Sequence, residues 1–402
     1  MTLKPLSLLN LLLSMISGIL LGIVIFQWYY SGHISRHISG YSSTHANIAA
    51  ALKQIDQHFV GELDEKTLTN QAINGMLAGL DEYSELLDQQ SYANLVSHSQ
   101  GEFVGIGVEI KLSNGFFTVV RVNRGTPAES AGIAVGDTIR AINGTSAKGM
   151  SAEQISQQMQ GAIGTNLALL LKREEQAELI PMVLQRQLIT TTHITHKRLA
   201  NDIGYVRITN FDQNAGANLL ASLATLNKQR ATKGLILDLR SNPGGILRAC
   251  VDVAEIFLDG GLVVSTQRSS TFLADDPSKV DYFASTGDFS AELPLAILIN
   301  EGTASASEIV AGAMQDHGRA TIIGNTSFGK GTVQSLMPPL PDGQALKITT
   351  AYYYTPNGRS FHNAGIEPDI TFSANEDELL EFAAAHLLQE QSSSAVDISV
   401  GE

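Results

Sequence analysis

The chain has 402 residues, enough for two or three domains, and its hydrophobic fraction of 44% predicts a substantial core. Its 26 basic and 40 acidic residues give a net charge of -14. This balance, without a basic cluster, argues against nucleic acid as a partner. The one cysteine, Cys250, excludes an intrachain disulfide. Its apolar neighbours predict a core position rather than a redox or nucleophilic role.

A long apolar segment opens the chain. Residues 6–26 are almost wholly apolar, which matches the roughly 20 residues that span a bilayer. Lys4 precedes this segment, and the aromatic triplet Trp28-Tyr29-Tyr30 follows it like an interfacial belt. We expect an uncleaved anchor in residues 1–30, inserted in a bacterial inner membrane, with the rest of the chain in the periplasm. The alternative is a cleaved signal peptide, whose apolar region is usually shorter, and a soluble periplasmic protein.

The next region has a helical pattern. Apolar residues recur at three- to four-residue spacing through Ile48, Leu52, Ile55 and Phe59, and again through residues 72–80. This spacing predicts a pair of amphipathic helices. We assign residues 31–96 to an N-terminal helical region. Such a region can mediate a homo-oligomer, but helices alone do not establish one.

Short β-rich runs replace the helical pattern in the following region. A turn at Ser113-Asn114-Gly115 joins the first two runs as a hairpin. A helical pattern interrupts the runs at residues 151–159. The predicted strands are residues 104–112, 116–122, 137–142 and 167–172.

Glycine-rich motifs occur in a fixed order along these strands. They are Gly105-Ile106-Gly107-Val108, then residues 125–128 and then residues 135–139. In this order they resemble a PDZ domain, which we place at residues 97–176. The resemblance implies that a peptide C-terminus binds as an added strand, with its carboxylate held by backbone N–H groups. Gly105, Ile106, Gly107 and Val108 are then the expected contacts with the tail. The alternative is that the glycines only shape a turn.

A mixed α/β pattern follows, and we assign residues 177–374 to it. Apolar strands are predicted at residues 203–208, 234–239 and 294–299, and helices at 215–229 and 246–257. Their alternation predicts a largely parallel sheet with covering helices. The second strand is apolar enough to be buried on both faces. Residues 375–402 are expected to form a short helix, at 378–388, and a disordered tail.

Two small-residue motifs in this region carry the chemistry. The first contains Ser305 at its centre, and the second contains Lys330 between two glycines. A serine hydroxyl is a poor nucleophile unless a neighbour takes its proton. A lysine accepts that proton only when neutral, which requires a desolvated pocket. The apolar stretch after Ser305 predicts a buried helix, whose first N–H groups would lie where an oxyanion forms. The pair therefore predicts a Ser–Lys hydrolase.

The second motif also has the spacing of a phosphate-binding loop. Residues 324–330 match that pattern, and Asp238 ends a strand as the accompanying magnesium ligand would. However, Gly331 follows the lysine, where the loop requires Ser or Thr, and the next segment predicts a strand instead of a helix. We therefore expect no nucleotide. No His or Cys cluster has metal-ligand spacing, so neither a metal nor another cofactor is expected.

Other residues compete for catalytic roles. Ser307 is an alternative nucleophile, and His317 invites a Ser–His triad. His317 follows a helical stretch and precedes a Gly-Arg turn, so a packing role is the simpler interpretation. Asp238 is an alternative triad acid, but a buried carboxylate held by the following Asn-Pro-Gly-Gly loop is the simpler account.

Further motifs complete a family pattern. They are residues 238–245, 315–320, 353–360 and 365–369. Together with the Ser305 and Lys330 motifs they resemble the C-terminal processing peptidases, also called tail-specific proteases, from the helical region to about residue 388. The chain departs from the pattern at Glu82, where relatives commonly have Pro, and at Thr303, where many have Ser.

The resemblance implies a role for each matching residue. Ser305 would be the nucleophile, Lys330 the general base and Gln334 the residue that orients the lysine, from the same face of a strand. The backbone N–H groups of Ala306 and Gly245 would form the oxyanion hole. The implied fold is the α/β, ββα superhelix shared with crotonases, with the PDZ domain inserted before it.

The expected function is that of an exported serine endopeptidase without a cofactor. It would bind proteins with apolar or loosely folded C-terminal tails and cleave at or near those tails through an acyl-enzyme. The PDZ domain would bind the tail and gate the site. An adaptor-activated protease and a PDZ scaffold with an inactive hydrolase domain are the alternatives.

Overall fold

The computed structural model describes residues 42–398 except 114, 191–192, 229, 269–277, 291–292 and 374. The chain divides after Gly75 into two compact units. The expected anchor at residues 6–26 lies outside the described residues. Within the described ranges, no helix is both long and apolar enough to cross a membrane.

The first described elements are helices α1 (Ser42–His58) and α2 (Glu65–Leu77), so the predicted pair of helices is present. Strand β1 (Glu85–Leu87) and helix α3 (Gln89–Ser99) follow. The strand lies inside the region that we assigned to helices. It forms because residues 85–87 pair in antiparallel register with residues 345–347, a long-range contact that local periodicity does not encode.

The PDZ region is an antiparallel sheet with two packed helices, one of them a single turn. Its sheet order is β3-β4-β5-β7-β8, with β6 on β5. The predicted strand at 104–112 is two strands, because the chain breaks at Ile106 and Gly107. Strand β8 pairs with β7 and extends the sheet beyond our boundary at residue 176. The elements are β2 (Glu102–Gly105), β3 (Val108–Ser113), β4 (Phe116–Val122), α4 (Pro127–Ser130), β5 (Thr138–Ile142), β6 (Thr145–Ser146), α5 (Ala152–Met159), β7 (Asn166–Lys172) and β8 (Ile180–Gln185).

The remaining elements build the α/β core. They are β9 (Gln187–Thr190), β10 (Ile194–Arg198), β11 (Ile203–Ile208), α6 (Ala215–Asn227), β12 (Gly234–Asp238), α7 (Leu247–Glu255), β13 (Gly261–Gln267), β14 (Lys279–Ala284), β15 (Leu295–Ile299), α8 (Ala306–Asp316), β16 (Thr321–Gly324), β17 (Thr332–Leu336), β18 (Ala345–Tyr354), β19 (Ile370–Thr371) and α9 (Glu376–Ile398). Strand β9 returns from the PDZ region and pairs with β2.

The central sheet has the order β10-β11-β12-β15-β16-β19 and is parallel from β11 onward. Alternate residues of β12 face opposite cores: Leu235 and Leu237 pack with α6, α7 and α8, whereas Ile236 packs with α9. Burying each such side chain contributes about 1.5–3 kcal/mol. The predicted parallel sheet with helices on both faces is therefore confirmed.

A second, antiparallel sheet has the order β1-β18-β13-β14, with β17 also on β18. Helix α9 was predicted to be short, but it continues to Ile398, so the prediction of a disordered tail is wrong up to that residue. Its first turns are anchored by apolar residues such as Leu380 and Leu387. The later turns are polar and have no apolar period, so the sequence carried no helical signal there.

Candidate active site

Ser305 lies at the turn between strand β15 and helix α8. It is the residue before the first helical residue, and its backbone has φ 55° and ψ -116°. A positive φ is strained for any residue except glycine, so the surrounding structure must hold it. Two bonds anchor the turn: Thr303 Oγ1 donates to Leu239 O (2.9 Å) and Ala304 N donates to Asn242 O (3.0 Å). Ser305 itself is half-buried.

A double-glycine loop after β12 lies directly against this turn. A Cβ atom added to Gly244 would lie 2.9 Å from Ser305 Cβ and 3.0 Å from Ala306 N. A Cβ atom added to Gly245, whose φ is +146°, would lie 2.2 Å from Phe211 O. Only glycine fits at either position, because any side chain would collide with the neighbouring backbone.

The free donors at this junction are backbone N–H groups. Gly244 N donates to Asn242 Oδ1 (2.9 Å) and is therefore occupied. By contrast, the N–H groups of Gly245 and Ala306 have no acceptor among the described residues. Two unpaired donors beside a serine can stabilise the negative oxygen of a tetrahedral intermediate.

Lys330 approaches from the loop that precedes β17 and is half-buried. Burial lowers the pKa of Lys330, and the positive charge of Lys347 lowers it further. A lowered pKa is what a lysine base requires. However, no hydrogen bond joins Ser305 Oγ to Lys330 Nζ in the described part of the chain. Instead, Lys330 Nζ lies 4.7 Å from the centre of the Tyr83 ring, a cation–π contact.

Gln334 forms no hydrogen bond with the lysine among the described residues. Its Nε2 atom donates to Thr332 Oγ1 (2.8 Å) and to Thr349 Oγ1 (3.3 Å). Lys330 lies before the start of β17 at Thr332, so the strand alternation on which our same-face argument depended does not extend to the lysine. The structure thus brings Ser305, Ala306, Gly245 and the Lys330 loop together, but leaves Gln334 bonded to threonine hydroxyls.

The tail-binding candidates form the connection between β2 and β3. Gly105 ends β2, Val108 begins β3, and Ile106 is buried in the PDZ core. Gly107 has φ +86°, and a Cβ atom there would lie 2.4 Å from Thr126. The N–H groups of Ile106 and Gly107 have no acceptor within the described ranges. Strand β3 pairs with β4 alone among the described strands, so its other edge can accept an added strand.

A cleft extends from helix α5 of the PDZ region to the double-glycine loop. Its volume is about 630 Å³. Leu95 and His98 of α3, Gln160 after α5, and Phe211 and Gly245 of the core line it. A hydrogen bond from Asn94 Nδ2 to Gln160 Oε1 (2.9 Å) links α3 to the PDZ region at this cleft. The cleft therefore reaches from the PDZ region to one of the two unpaired donors beside Ser305.

The competing residues have structural partners. Ser307 is fully buried and donates to Asn242 O (3.0 Å). His317 follows the last residue of α8, roughly 16 Å along the helix from Ser305, and bonds Leu262 O (2.7 Å). Asp238 is fully buried and paired with Arg240 (2.6 Å). A strand, β17, follows Lys330, as the sequence predicted for that segment. No cluster of His, Cys, Asp or Glu suited to a metal occurs among the described residues.

Two residues at the site were missed by sequence reasoning. Glu308 bonds both the serine turn and the lysine loop. Its position three residues after Ser305 is the capping-box spacing, a signal that was available in the sequence. Tyr83 contacts Lys330 from a distant part of the chain, and no local signal indicated that contact.

Comparison with known proteins gives the class and the family. Residues 202–372 match the model of peptidase family S41, and residues 118–173 match that of the PDZ domain. The chain is 38% identical to a carboxy-terminal-processing protease of Bartonella bacilliformis over 81% of this chain and 74% of that protein. It is 36% identical to a carboxyl-terminal-processing protease of Synechocystis sp., over 79% of this chain and 73% of that one.

A solved structure agrees in fold. A putative S41 protease from Bacteroides fragilis matches with a TM-score of 0.50 at 16% identity, over 79% of this chain and 85% of that one. The family match and the two relatives define a serine-type peptidase that carries a PDZ domain. The chain belongs to peptidase family S41.

Proposed function

We propose that this peptidase cleaves proteins at or near their C-terminal tails with Ser305 as nucleophile and Lys330 as base. The observation that carries the proposal is the junction of Ser305 with two unpaired N–H donors, those of Ala306 and Gly245. The lowered pKa of Lys330 supports its role as the base. The relatives named carboxy-terminal-processing proteases support the choice of substrate.

The chemistry follows from these groups. Ser305 Oγ attacks the scissile carbonyl carbon while neutral Lys330 takes the hydroxyl proton. The N–H groups of Ala306 and Gly245 hold the oxyanion. When the C–N bond breaks, Lys330 gives the proton to the leaving amine. Water then attacks the acyl carbon while Lys330 accepts its proton. When the C–O bond to Ser305 breaks, Lys330 returns that proton to Ser305 Oγ and the acid product leaves.

The PDZ region would receive the substrate tail. The unpaired N–H groups of Ile106 and Gly107 suit a terminal carboxylate, and the open edge of β3 suits an added strand. The cleft beside Gly245 would then carry the preceding residues of the substrate towards Ser305. On this path the PDZ region would bind the tail, and the α/β core would cleave the substrate.

The placement of Lys330 favours a resting state that must rearrange before cleavage. Its ammonium contacts Tyr83 and forms no bond with Ser305 in the described residues, and Gln334 bonds threonines instead of the lysine. We therefore keep the adaptor-activated protease as a second candidate, because an adaptor or a bound tail would both shift the population towards the aligned site. Export to the periplasm through an anchor at residues 6–26 is part of the same proposal.

The test uses the full-length protein and an unfolded reporter with an apolar C-terminal tail. Wild type is expected to cleave, and Ser305→Ala and Lys330→Ala are expected to lose at least about a thousandfold in rate. Mass spectrometry of the products locates the cut, and a reporter with a charged tail is the matched control. Cleavage by the two variants at the wild-type rate would rule out the Ser–Lys assignment. Activity only after addition of a cell-envelope extract would favour the adaptor.

A further inference from the structure

Glu308 is a buried acid that the mechanism above does not use. It belongs to the first turn of α8 and is fully buried. Its Oε2 atom accepts hydrogen bonds from Ser305 N (2.7 Å) and Lys330 N (2.9 Å). Its Oε1 atom accepts from Ser327 Oγ (2.5 Å) and Gly329 N (2.6 Å). One oxygen atom therefore holds the backbone of both the nucleophile and the base.

Helix capping explains only one of these four bonds. A capping-box acid needs to accept from the residue at the N-cap position, here Ser305 N. The other three donors come from residues 327–330, which belong to a different loop. Ser327 is itself fixed, because its Oγ accepts from Ile366 N (2.6 Å). Glu308 thus connects the helix turn to a loop that is independently anchored.

All four groups around Glu308 are donors, which determines its charge state. Burial raises the pKa of Glu308, whereas the four hydrogen bonds lower it and favour the carboxylate. A protonated acid would have to donate a hydrogen bond, and the groups in contact are three N–H groups and a hydroxyl that already donates. An ionised Glu308 also favours a protonated Lys330, so it does not activate the base through its charge.

We propose that Glu308 is the positioning residue that sets Ser305 and Lys330 relative to each other, a role that rests on the Ser–Lys function proposed above. The bond to Ser305 N lies at the residue whose φ is +55°, so Glu308 also helps to hold the strained nucleophile turn. Misplacing reacting groups by about 1 Å can lower a rate by about a hundredfold. Glu308 would act through Ser305 and Lys330 without touching the substrate.

The test is Glu308→Gln, which keeps the shape of the side chain but turns one acceptor into a donor. Whichever carboxylate oxygen the amide nitrogen replaces, it then faces two hydrogen-bond donors. We expect kcat to fall by about a hundredfold with KM changed less than about threefold. Because the negative charge beside Lys330 is removed, the pKa of the lysine falls, so the rising limb of the pH–rate profile moves to lower pH. This shift follows from the lost charge alone, so the fall in kcat at a nearly unchanged KM is the readout that a capping role would not give.

Two further variants keep the test decisive. Ser327→Ala removes one donor from Oε1 and the acceptor of Ile366 N, but it keeps both bonds to Oε2 and introduces no donor facing another donor. It should therefore fold even if Glu308→Gln does not, and we expect a smaller loss of kcat, about tenfold. Asn375→Ala is the matched cap control, because Asn375 Oδ1 accepts from Glu378 N (3.0 Å) at the start of α9. It should lower the melting temperature and leave kcat and the pH limb unchanged.

The outcomes separate the two proposals. If wild type cleaves through Ser305 and Lys330 while Glu308→Gln and Ser327→Ala keep the wild-type kcat, Glu308 is a cap alone and the positioning role is wrong. If Ser305→Ala or Lys330→Ala retains activity, the Ser–Lys function is wrong first. A loss of kcat in Asn375→Ala equal to that in Glu308→Gln would assign the effect to general destabilisation and overturn the proposal.

Discussion

The loop at residues 105–108 and the junction around Ser305 both rely on glycine to expose backbone N–H groups. They differ in whether the groups that would act together are already aligned. Among the described residues, the N–H groups of Ile106 and Gly107 have no acceptor, and they lie beside the open edge of β3. At the junction, the donors of Gly245 and Ala306 also lack acceptors in the described ranges, but Lys330 contacts Tyr83 and forms no hydrogen bond with Ser305 there. Under the proposed function, the tail-binding loop is formed before the catalytic groups are aligned.

Backbone conformation explains why the two sets of donors are formed without ligand. Gly107 and Gly245 have positive φ values of 86° and 146°, and an added Cβ at either would collide with fixed neighbours. The close packing of these glycines against their neighbours holds the donors in place. The long lysine side chain has rotatable bonds, and a contact of about 0.5–2 kcal/mol is enough to choose its position. The positions of the N–H donors are therefore fixed by the fold, whereas the position of the Lys330 ammonium depends on a weak contact.

The largest expected effect is from Gly245→Ala. The added Cβ would lie 2.2 Å from Phe211 O, so the loop must move and withdraw its N–H from the oxyanion. Losing one such donor lowers kcat by about 10²–10³-fold. Steady-state cleavage of the tailed reporter measures this. Gly358→Ala is the control, since its φ is +77° and nothing lies within 4 Å of its added Cβ.

That control separates strain from catalysis. Gly358→Ala should cost about 1–2 kcal/mol of stability through its left-handed backbone and keep its kcat. Equal activity in Gly245→Ala and wild type would show that the Gly245 donor does not serve the reaction. Thermal unfolding of both variants checks that the loss of rate exceeds any loss of folded protein.

A smaller effect is expected from Gly107→Ala at the tail-binding loop. Its added Cβ would lie 2.4 Å from Thr126, so the loop must shift and weaken its bonds to the tail carboxylate. We expect KM for the tailed reporter to rise about tenfold, while cleavage of the same reporter with an amidated C-terminus stays unchanged. Gly144→Ala, with φ +82° and open space, is the matched variant. A fall in kcat with an unchanged KM would contradict separate tail-binding and catalytic loops.

Sequence reasoning succeeded where the backbone conformation at a residue, or the burial of a strand face, requires a particular residue type. The double glycine before Ile246 and the glycine at 107 indicate positions where no side chain fits, and the structure has such positions there. The uninterrupted apolar run of β12 indicates a strand buried on both faces. Ser307, the alternative nucleophile, is fully buried, and Ser305 as the nucleophile stays a prediction. These features depend on one residue and its immediate surroundings.

Sequence reasoning failed where the outcome depends on distant partners. Strand β1 exists because it pairs with β18, and Lys330 meets Tyr83 from a separate turn. The same-face argument for Gln334 assumed a strand that includes Lys330, but β17 begins only at Thr332, and where it begins depends on its pairing with β18. Helix α9 continues through polar residues that have no apolar period. In each case the physical cause is a contact or an irregularity that local periodicity does not record.

The smallest effect is expected at Tyr83, and it tests the unaligned base directly. The ring stabilises the ammonium of Lys330 away from Ser305, so Tyr83→Leu removes about 1 kcal/mol of that preference. We expect cleavage without activator to rise about fivefold. Loss of the ring also disfavours the charged lysine, which lowers its pKa further. Because the base must be neutral, the rate rises with pH through that pKa, and the limb should move to lower pH.

Tyr83→Phe is the matched control, because it keeps the ring face and removes the hydroxyl. Burial raises the pKa of Tyr83 to about 12, so its hydroxyl stays neutral at working pH and its removal changes no charge. The Phe variant should therefore behave as wild type in both rate and pH limb. A loss of activity in the Leu variant would mean that the ring supports the aligned base. Lys330 would then already be aligned for catalysis. The proposed difference in alignment between the catalytic groups and the tail-binding loop would disappear.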